Sequence, residues 1–360
     1  MSIRVLHVVS YMGRGGLETM IMNYYRHIDR TKVQFDFLVH RDFTADYDNE
    51  ILALGGNIYH VPPLNPFSLS YFKALDSFFS EHQYDIVHSH LDCMSAYPLK
   101  IAERHGVKIR IAHAHNSGQD HNLKYPIKEY AKRQIPRYAT DLFACSKAAG
   151  KWMFLGHEFQ VLRNAIDAGQ FIFNPEKAKE IKKKFGVQDK FVIGHVGRFN
   201  PQKNHSFLVD VFSFVERMEK NSVLLLAGSG EEEAKIEAKV KKKGLHDKVF
   251  FLGSRYDIPE VLQAMDVFVF PSHYEGFGIA AAEAQAAGVP CILSDRIPRE
   301  CRLTDKVEFL SLKMPPREWA EHIIRYKGNS KKNEFAAVCS AGYDIADNVK
   351  QLEEFYLSRG

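Results

Sequence analysis

The chain has 360 residues, of which 45% are hydrophobic and 26% are charged, and its formal net charge at pH 7 is +4. This composition excludes a disordered chain and leaves room for two domains. The mild charge gives no indication of nucleic-acid binding, and no apolar stretch reaches a membrane-spanning length. Five scattered cysteines form no C-x-x-C pair and no signal peptide is recognisable, so we expect a reducing, cytoplasmic setting.

Strands rich in β-branched residues alternate with helical patterns through the first half. We expect strands at 3–10, 34–39, 57–61, 85–90, 109–114 and 142–145, with helices at 17–27 and near 49–54. This alternation predicts a parallel sheet with helices on both faces, which binds ligands at the carboxyl ends of its strands. Three candidate segments follow such ends: Gly15-Gly16, His88–His90 and His113–His115.

The turn that contains Gly13, Gly15 and Gly16 partly matches a dinucleotide-binding fingerprint. The last glycine of that fingerprint is missing, because Glu18 stands there. Asp36 lies inside the second predicted strand rather than at its end, where a ribose-binding carboxylate belongs. An NAD-dependent oxidoreductase is therefore kept only as an alternative.

Several histidines follow the predicted strands. His88 and His90 are two residues apart, so they share one face of the sheet. With Asp92, His113 and His115 they offer ligand types that suit zinc, but no local spacing of a known zinc type accompanies them. Packing, or a contact with a sugar, is the interpretation that we prefer, and we expect no metal.

A basic, aromatic helical pattern spans 124–138. Lys124, Lys128 and Lys132 are spaced to share one helix face. Such a helix can lie on an anionic membrane surface, although most charge runs are simply solvated.

The second half begins after a polar, charged stretch at 168–190. A strand at 191–197 is followed by Arg198 and Lys203, two cations that are placed to hold a diphosphate. The strand at 224–228 ends in a turn with Gly228 and Gly230, and further strands are expected at 249–253 and 267–270.

The last of these strands leads into the most informative segment. Glu275-Gly-Phe-Gly278 forms a turn, and an alanine-rich helix follows from Ile279 to Ala287 and carries Glu283. The helix N-terminus is an anion site, and glycine lets a phosphate or a sugar approach the backbone closely. Two carboxylates beside an anion site are suited to a nucleotide-sugar.

This segment resembles the Glu-x7-Glu signature of the retaining glycosyltransferases of family 4. Glu275 and Glu283 have its spacing, and the E-G-F-G turn and the A-x-A-x-G-x-P tail match as well. The resemblance implies the GT-B architecture, with two facing, doubly wound Rossmann-like domains and a last helix that crosses back to the first. Asn164-Ala-Ile-Asp167 matches the N-G-I-D segment between the domains, except for Ala165. We therefore expect an acceptor-side domain at 1–165 with about 340–360, and a nucleotide-sugar domain at 166–339.

The resemblance also implies roles for individual residues. Glu275 would orient the donor sugar, Glu283 would hold the ribose, and Arg198 and Lys203 would neutralise the leaving diphosphate. His115 would contact the donor sugar, but His113 stands where the pattern has threonine, so the choice between the two histidines stays open. The remaining expected donor contacts are Gly15, Gly16, Gly228, Gly230, Leu252, Gly276, Phe277 and Gly278. The expected acceptor-side residues are Glu18, His88, His90 and His113.

Two local patterns qualify this resemblance. The Gly-Gly-x-x-Glu turn that the family often shows is replaced here by residues 296–300, of which Glu300 still matches. Asp46-Tyr-Asp48 resembles the metal motif of the other major glycosyltransferase architecture, but its position before a helix predicts N-capping.

Taken together, these residues predict a metal-independent retaining hexosyltransferase. It would transfer a hexose or N-acetylhexosamine from a nucleotide-sugar, most commonly a UDP-sugar, to a glycan or lipid-linked acceptor for envelope or exopolysaccharide synthesis. An anionic membrane surface is a further candidate partner, which would place the protein on the inner face of the membrane. A nucleotide-sugar epimerase of the same architecture and a non-catalytic protein that binds nucleotide-sugars are two further candidate functions.

Overall fold

The computed structural model describes residues 2–119 and 123–359. The chain divides into two compact units, here called the first and the second unit. The first unit contains Met1–Ala165 and Ile345–Gly360, and the second contains Ile166–Asp344. None of the helices within the described residues has the length and apolar character that a membrane-spanning segment needs.

The first unit is built on a parallel sheet. Its strands are β1 (Ile3–Val9), β2 (Val33–Val39), β3 (Ile58–His60), β4 (Ile86–Ser89), β5 (Ile109–Ala114), β6 (Asp141–Ala144) and β7 (Gln160–Val161). Their order in the sheet is β3-β2-β1-β4-β5-β6-β7. The helices between them are α1 (Gly16–His27), α2 (Asp48–Ala53), α3 (Leu69–Glu81), α4 (Ala96–Arg104), α5 (Tyr125–Tyr138) and α6 (Lys147–Phe154). The strands predicted for the first half are confirmed.

The second unit repeats this plan. Its parallel strands are β8 (Phe191–Val196), β9 (Ser222–Ala227), β10 (Val249–Phe251), β11 (Val267–Phe270), β12 (Cys291–Ser294) and β13 (Val307–Leu310), in the order β10-β9-β8-β11-β12-β13. Its helices are α7 (Pro175–Lys184), α8 (His205–Met218), α9 (Glu233–Lys242), α10 (Ile258–Ala264), α11 (Ile279–Ala286), α12 (Pro316–Ile324) and α13 (Phe335–Ser340). The sequence patterns did not predict β13, α12 or α13. Trp319 of α12 is fully buried against α8, and its Nε1 donates to the Ser311 carbonyl at 3.0 Å.

The last helix, α14 (Ile345–Arg359), belongs to the first unit. It packs on α1 and β2, and it is tied at its end by an ion pair between Arg359 and Asp141 of 2.6 Å. Its inward residues Val349, Leu352 and Tyr356 follow the helical period that the sequence shows. The predicted return of this helix to the first domain is confirmed.

Each sheet has a switch point at which the strand order reverses direction. This point lies between β1 and β4 in the first unit and between β8 and β11 in the second. Loops that leave two such strands diverge to opposite faces and open a crevice at the carboxyl edge, where sheets of this kind bind ligands. We therefore expect the ligand-binding and catalytic residues in the loops that follow these four strands.

Two local predictions are wrong. Lys132 is not on a solvated face of α5, because it is 4% exposed, pairs with Glu129 at 2.7 Å and lies over the Trp152 ring. Asp48 does not cap α2; the residue before that helix is Tyr47, and the Asp48 carboxylate instead accepts from the Ala45 N–H at 2.8 Å.

Candidate active site

The loop after β8 carries the two predicted diphosphate cations. Arg198 is exposed, and Lys203 ends a tight turn over Pro201–Lys203. The Asn200 side chain accepts from the Lys203 N–H at 3.1 Å, and Asn204 adopts a left-handed conformation with φ of 57°. The turn thus fixes where the lysine side chain leaves the backbone.

Backbone and amide contacts join this loop to the one after β11. The His273 N–H donates to the Gln202 carbonyl at 2.8 Å, and Gln202 Nε2 donates back to the Tyr274 carbonyl at 2.9 Å. Asn204 Nδ2 donates to the Pro271 carbonyl at 3.2 Å. These amides hold Lys203 beside Glu275, and no sequence pattern had singled them out.

Lys203 and Glu275 form an ion pair, with Nζ 2.6 Å from Oε1. Their side chains are 17% and 8% exposed, and the ammonium also lies 4.6 Å from the centre of the Phe270 ring. The Coulomb attraction within a pair that is shielded from water is stronger than on the surface, and the desolvation of the two charges offsets part of it. The two residues predicted to serve the diphosphate and the sugar are therefore brought into direct contact.

The predicted glycine turn after β9 lies against the loop after β8. The Gly197 N–H donates to the Ala227 carbonyl at 2.9 Å, and a Cβ on Gly228 would come within 2.0 Å of the Gly197 oxygen. A Cβ on Gly230 would meet the Phe199 backbone in the same way. These glycines are required by the close contact between the two loop backbones.

The structure limits two predicted donor contacts. The Leu252 N–H is already bonded to the Leu226 carbonyl at 2.9 Å, so its amide cannot donate to a base. Phe277 is 1% exposed and stacks on Tyr343 with ring centres 4.5 Å apart, so its ring packs inside the second unit instead of facing a donor.

Glu283 lies on α11 among buried residues, and it is itself 7% exposed. It is not on a solvated helix face, and burial raises the pKa of its carboxyl group to about 8. The helix begins after Gly278, whose φ of +99° favours glycine. This places Gly276 and Gly278 on the turn that leads from Glu275 into the helix of Glu283.

Gln285 is a structural residue of this site that the sequence did not reveal. It is 1% exposed and donates to the carbonyls of Ala281 and Cys301 at 2.9 and 2.8 Å. Its Oε1 accepts the N–H groups of Leu303 and Thr304 at 2.8 and 3.0 Å. It thereby fixes the segment that follows Glu300.

In the first unit, the predicted residue Gly15 directly precedes α1, and Gly16 and Glu18 lie in the first turn of that helix. Glu18 is 7% exposed and folds back, so that a Cβ on Gly15 would come within 2.3 Å of its carboxylate. A side chain at position 15 would therefore displace the Glu18 carboxylate. Asp36 is fully buried and accepts from Arg4, Tyr84 and the Asn57 N–H, so it is engaged in the core and not placed for a ribose.

The predicted histidines lie close together, but most of them are buried in the core of the first unit. His88 and His113 are each 1% exposed, and His88 bonds both to Tyr356 and to His113, which corrects the prediction that they face an acceptor. His90 is 5% exposed and is bonded at both ring nitrogens. His115 is the more accessible of the two histidines left open, and its backbone N–H donates to the Asp92 carboxylate at 2.8 Å.

Comparisons with known proteins agree with this architecture. The family model described as Glycosyltransferase Family 4 matches residues 14–170, and the model described as Glycosyl transferases group 1 matches residues 176–336. EpsF of Bacillus subtilis (strain 168), which carries the name of a glycosyltransferase, is 37% identical, and the match covers 98% of this chain and 96% of EpsF. An Escherichia coli UDP-Gal:alpha-D-GlcNAc-diphosphoundecaprenol alpha-1,3-galactosyltransferase is 26% identical over 56% of this chain and 54% of its own.

Among solved structures, Anabaena Alr3699/HepE in complex with UDP and glucose has a TM-score of 0.81. It is 19% identical and the match covers 98% of this chain and 99% of HepE. The two parallel-sheet units and this likeness define the GT-B fold, and the chain is a glycosyltransferase. It belongs to glycosyltransferase family 4.

Proposed function

We propose that the protein is a retaining glycosyltransferase that moves a hexose or N-acetylhexosamine from a UDP-sugar to a glycan or lipid-linked acceptor. Its product would be an envelope polysaccharide or an exopolysaccharide. The observation that carries the proposal is the shielded pair of Lys203 and Glu275 beside the glycine turn at the switch point of the second unit. UDP in the HepE complex, and the UDP-galactose and diphosphoundecaprenol in the name of the Escherichia coli relative, support the donor and acceptor classes.

The chemistry needs positive charge where the diphosphate leaves. Breaking the sugar–phosphate bond develops negative charge on the diphosphate and positive character on the sugar carbon, and preorganised groups stabilise both. Lys203, Arg198 and the start of α11 would hold the diphosphate in place of a metal ion. Glu275 would then orient the sugar, Glu283 would hold the ribose, and His115 would contact the sugar.

A thermal-shift panel tests the donor and the metal independence. UDP, GDP, ADP and their sugar conjugates would be compared with NAD and NADP, each with and without EDTA. A nucleotide at about a hundred times its Kd stabilises by roughly 2.7 kcal/mol. We expect a shift with UDP and UDP-sugars that survives EDTA, whereas a shift with NAD alone would replace the proposal by an oxidoreductase.

The catalytic use of Lys203 is tested by Lys203→Ala with Lys182→Ala as its control. Lys182 pairs with Asp266 at 2.8 Å and is also 17% exposed, but it lies outside the site. We expect transfer to fall by about 100-fold in the first variant and to stay near normal in the second. Proton NMR of the product reports the anomeric configuration, and product formed from donor alone would indicate an epimerase instead.

We also propose that α5 docks on an anionic membrane. Leu123 and Tyr130 are 99% and 62% exposed, and Lys124, Arg133 and Arg137 are exposed beside them. Basic side chains next to exposed apolar ones favour anionic lipid surfaces. Co-sedimentation with phosphatidylglycerol vesicles should weaken in Arg133→Gln/Arg137→Gln but not in the charge-matched Lys183→Gln/Lys184→Gln. Equal binding to neutral vesicles would contradict this proposal.

A further inference from the structure

A hydrogen-bonded chain runs outward from the C-terminal helix through two buried histidines. Tyr356 Oη lies 2.7 Å from His88 Nδ1, and His88 Nε2 lies 3.1 Å from His113 Nδ1. The remaining nitrogen, His113 Nε2, is buried and has no hydrogen-bond partner within the described residues. The chain therefore begins at a hydroxyl group and ends at a ring nitrogen at the carboxyl end of β5.

A second chain runs beside the first through three histidines. His7 Nδ1 lies 2.9 Å from His90 Nε2, and His90 Nδ1 lies 2.9 Å from His115 Nε2. The two terminal nitrogens, His7 Nε2 and His115 Nδ1, are buried without a partner among the residues that the structure describes. One ring nitrogen of each of His90, His113 and His115 lies within 4.8 Å of the other two, so the chains meet at their outer ends.

All five rings are neutral at neutral pH. Burial lowers the pKa of His7 and of His115 to about 3, and it lowers the pKa of His88, His90 and His113 well below the usual value. A neutral imidazole has one N–H and one acceptor nitrogen. A ring bonded at both nitrogens must therefore donate on one side and accept on the other, which gives each chain a direction.

The direction of the first chain follows from its hydroxyl group. In the described part of the chain, the buried Tyr356 hydroxyl has His88 Nδ1 as its hydrogen-bond partner, so it donates there. His88 then carries its hydrogen on Nε2 and donates to His113 Nδ1. The His113 hydrogen must consequently be on Nε2.

The direction of the second chain follows from the surroundings of its inner end. The His7 ring lines a small apolar cavity that has room for about one water molecule. A buried N–H without an acceptor costs about 1–3 kcal/mol, and a water there would need two or more polar partners. The hydroxyl groups of the lining residues Tyr24 and Tyr356 are bonded elsewhere. The outward direction places the hydrogen on His115 Nδ1 instead, in a side chain that is only half-buried at a strand end, where a bound ligand oxygen can accept it.

We infer that the two chains are directional relays that hold His113 as its Nε2–H tautomer and His115 as its Nδ1–H tautomer. Tyr356 and His90 are then positioning residues: Tyr356 fixes the tautomer of the buried His113, and His90 keeps the His115 N–H ready for an oxygen of the donor sugar. The tautomers follow from the first unit alone, whereas their use in catalysis rests on the proposed function.

A metal ion is the competing explanation for this cluster. Two zinc ligands at Zn–N distances of about 2.0–2.1 Å would lie roughly 3.3 Å apart in tetrahedral geometry, which is close to the His–His distances here. Against this, no carboxylate among the described residues bonds to any of the five rings. The nearby Asp92 carboxylate accepts instead from the His115 backbone N–H and from Asn116 Nδ2, at 2.8 and 2.6 Å.

The tautomers can be read from long-range 1H–15N correlation spectra of the whole protein labelled with 15N-histidine. We expect Nε2–H for His113 and Nδ1–H for His115. Tyr356→Phe removes the first donor, so His88 and His113 should change tautomer. Tyr24→Phe is the matched control, because the Tyr24 hydroxyl donates to the Arg163 carbonyl and not to a histidine. The opposite tautomers in the unmodified protein, or about one equivalent of bound zinc by elemental analysis, would overturn the inference.

Activity supplies the second readout. In His90→Phe, kcat/KM for the UDP-sugar should fall roughly tenfold or more, because His115 is no longer held. The Kd for UDP itself should be unchanged, since UDP lacks the transferred hexosyl group that His115 would contact. An equal loss of UDP affinity would show that His90 is merely structural. If the tautomers are as expected but no sugar is transferred, the relays stand and the proposed function fails.

Discussion

Lys203 Nζ lies 2.6 Å from Glu275 Oε1, so the cation assigned to the diphosphate is bonded to the carboxylate assigned to the sugar. Each group is thereby held in position and partly neutralised by the other. A diphosphate that binds here must share Lys203 with Glu275 or take it away. The pair therefore sets a cost on nucleotide binding and aligns both groups for catalysis.

This relationship predicts opposite effects of Glu275→Gln on binding and on turnover. Removing the competing charge should tighten UDP binding about fivefold, because Lys203 is then free to bond to phosphate. Turnover should fall by about 100-fold, since the Glu275 carboxylate no longer orients the donor sugar. Isothermal titration with UDP and a transfer assay measure the two effects separately.

Asp266→Asn is the matched control for that variant, because Asp266 holds Lys182 in a similar pair away from the site. It should change neither quantity beyond its effect on stability. Weaker UDP binding in Glu275→Gln would show that the carboxylate helps Lys203 to bind phosphate instead of competing for it.

The raised pKa of Glu283 predicts that nucleotide binding depends on pH. Burial raises this pKa to about 8, so the carboxyl group is protonated at pH 7. Ribose hydroxyl groups donate to the ionised form, so binding should release a proton below pH 8. UDP affinity should consequently rise from pH 6 to pH 8 and then level off.

Titration calorimetry in two buffers with different ionisation enthalpies measures this proton directly, and Glu283→Gln should abolish its release. The same group should destabilise the fold as the pH rises from about 4.5 to 8, because the unfolded chain loses this proton first. Nucleotide binding without proton release would mean that Glu283 stays protonated or does not meet the ribose.

The close contact of two loop backbones predicts that Gly228 tolerates no side chain. In Gly228→Ala the new Cβ would lie 2.0 Å from the Gly197 oxygen, at a φ of +140°. Backbone atoms cannot move aside as a side chain can, so we expect a loss of about 3 kcal/mol together with weaker UDP binding. Gly244→Ala has a φ of +67° and no neighbour within 4 Å, and it should cost about 1 kcal/mol. Equal losses in urea unfolding would contradict the contact between the loops.

The fold could be predicted because its information is local and repeated. β-Branched residues identified β1 and β8, and the apolar period of α14 identified its buried face. The elements that were missed include β13, α12 and α13. Their burial depends on partners such as α8, which are distant in sequence.

Only the part of the candidate site that lies within a local sequence motif could be predicted. The Glu275–Glu283 spacing indicated the class of enzyme, but the contact of Lys203 with Glu275 joins residues 72 positions apart. Lys132 shows the same limit, because helical spacing gave its face and not the Trp152 ring that the face meets. Long-range partners of this kind carry no local pattern.

Gln285 gives a last prediction, in which stability and function can be separated. Gln285→Leu removes an amide that bonds to the Cys301 carbonyl and to the N–H groups of Leu303 and Thr304, and leaves those buried groups unpaired. We expect a loss of about 3 kcal/mol and a clear rise in KM for the donor, because the segment after Glu300 is released. Gln263→Leu is the control: Gln263 is 2% exposed and bonds to Asn174 and Phe171 away from the site. It should lose similar stability in urea unfolding and keep its KM. If both variants raised KM equally, the effect would come from general loosening of the second unit.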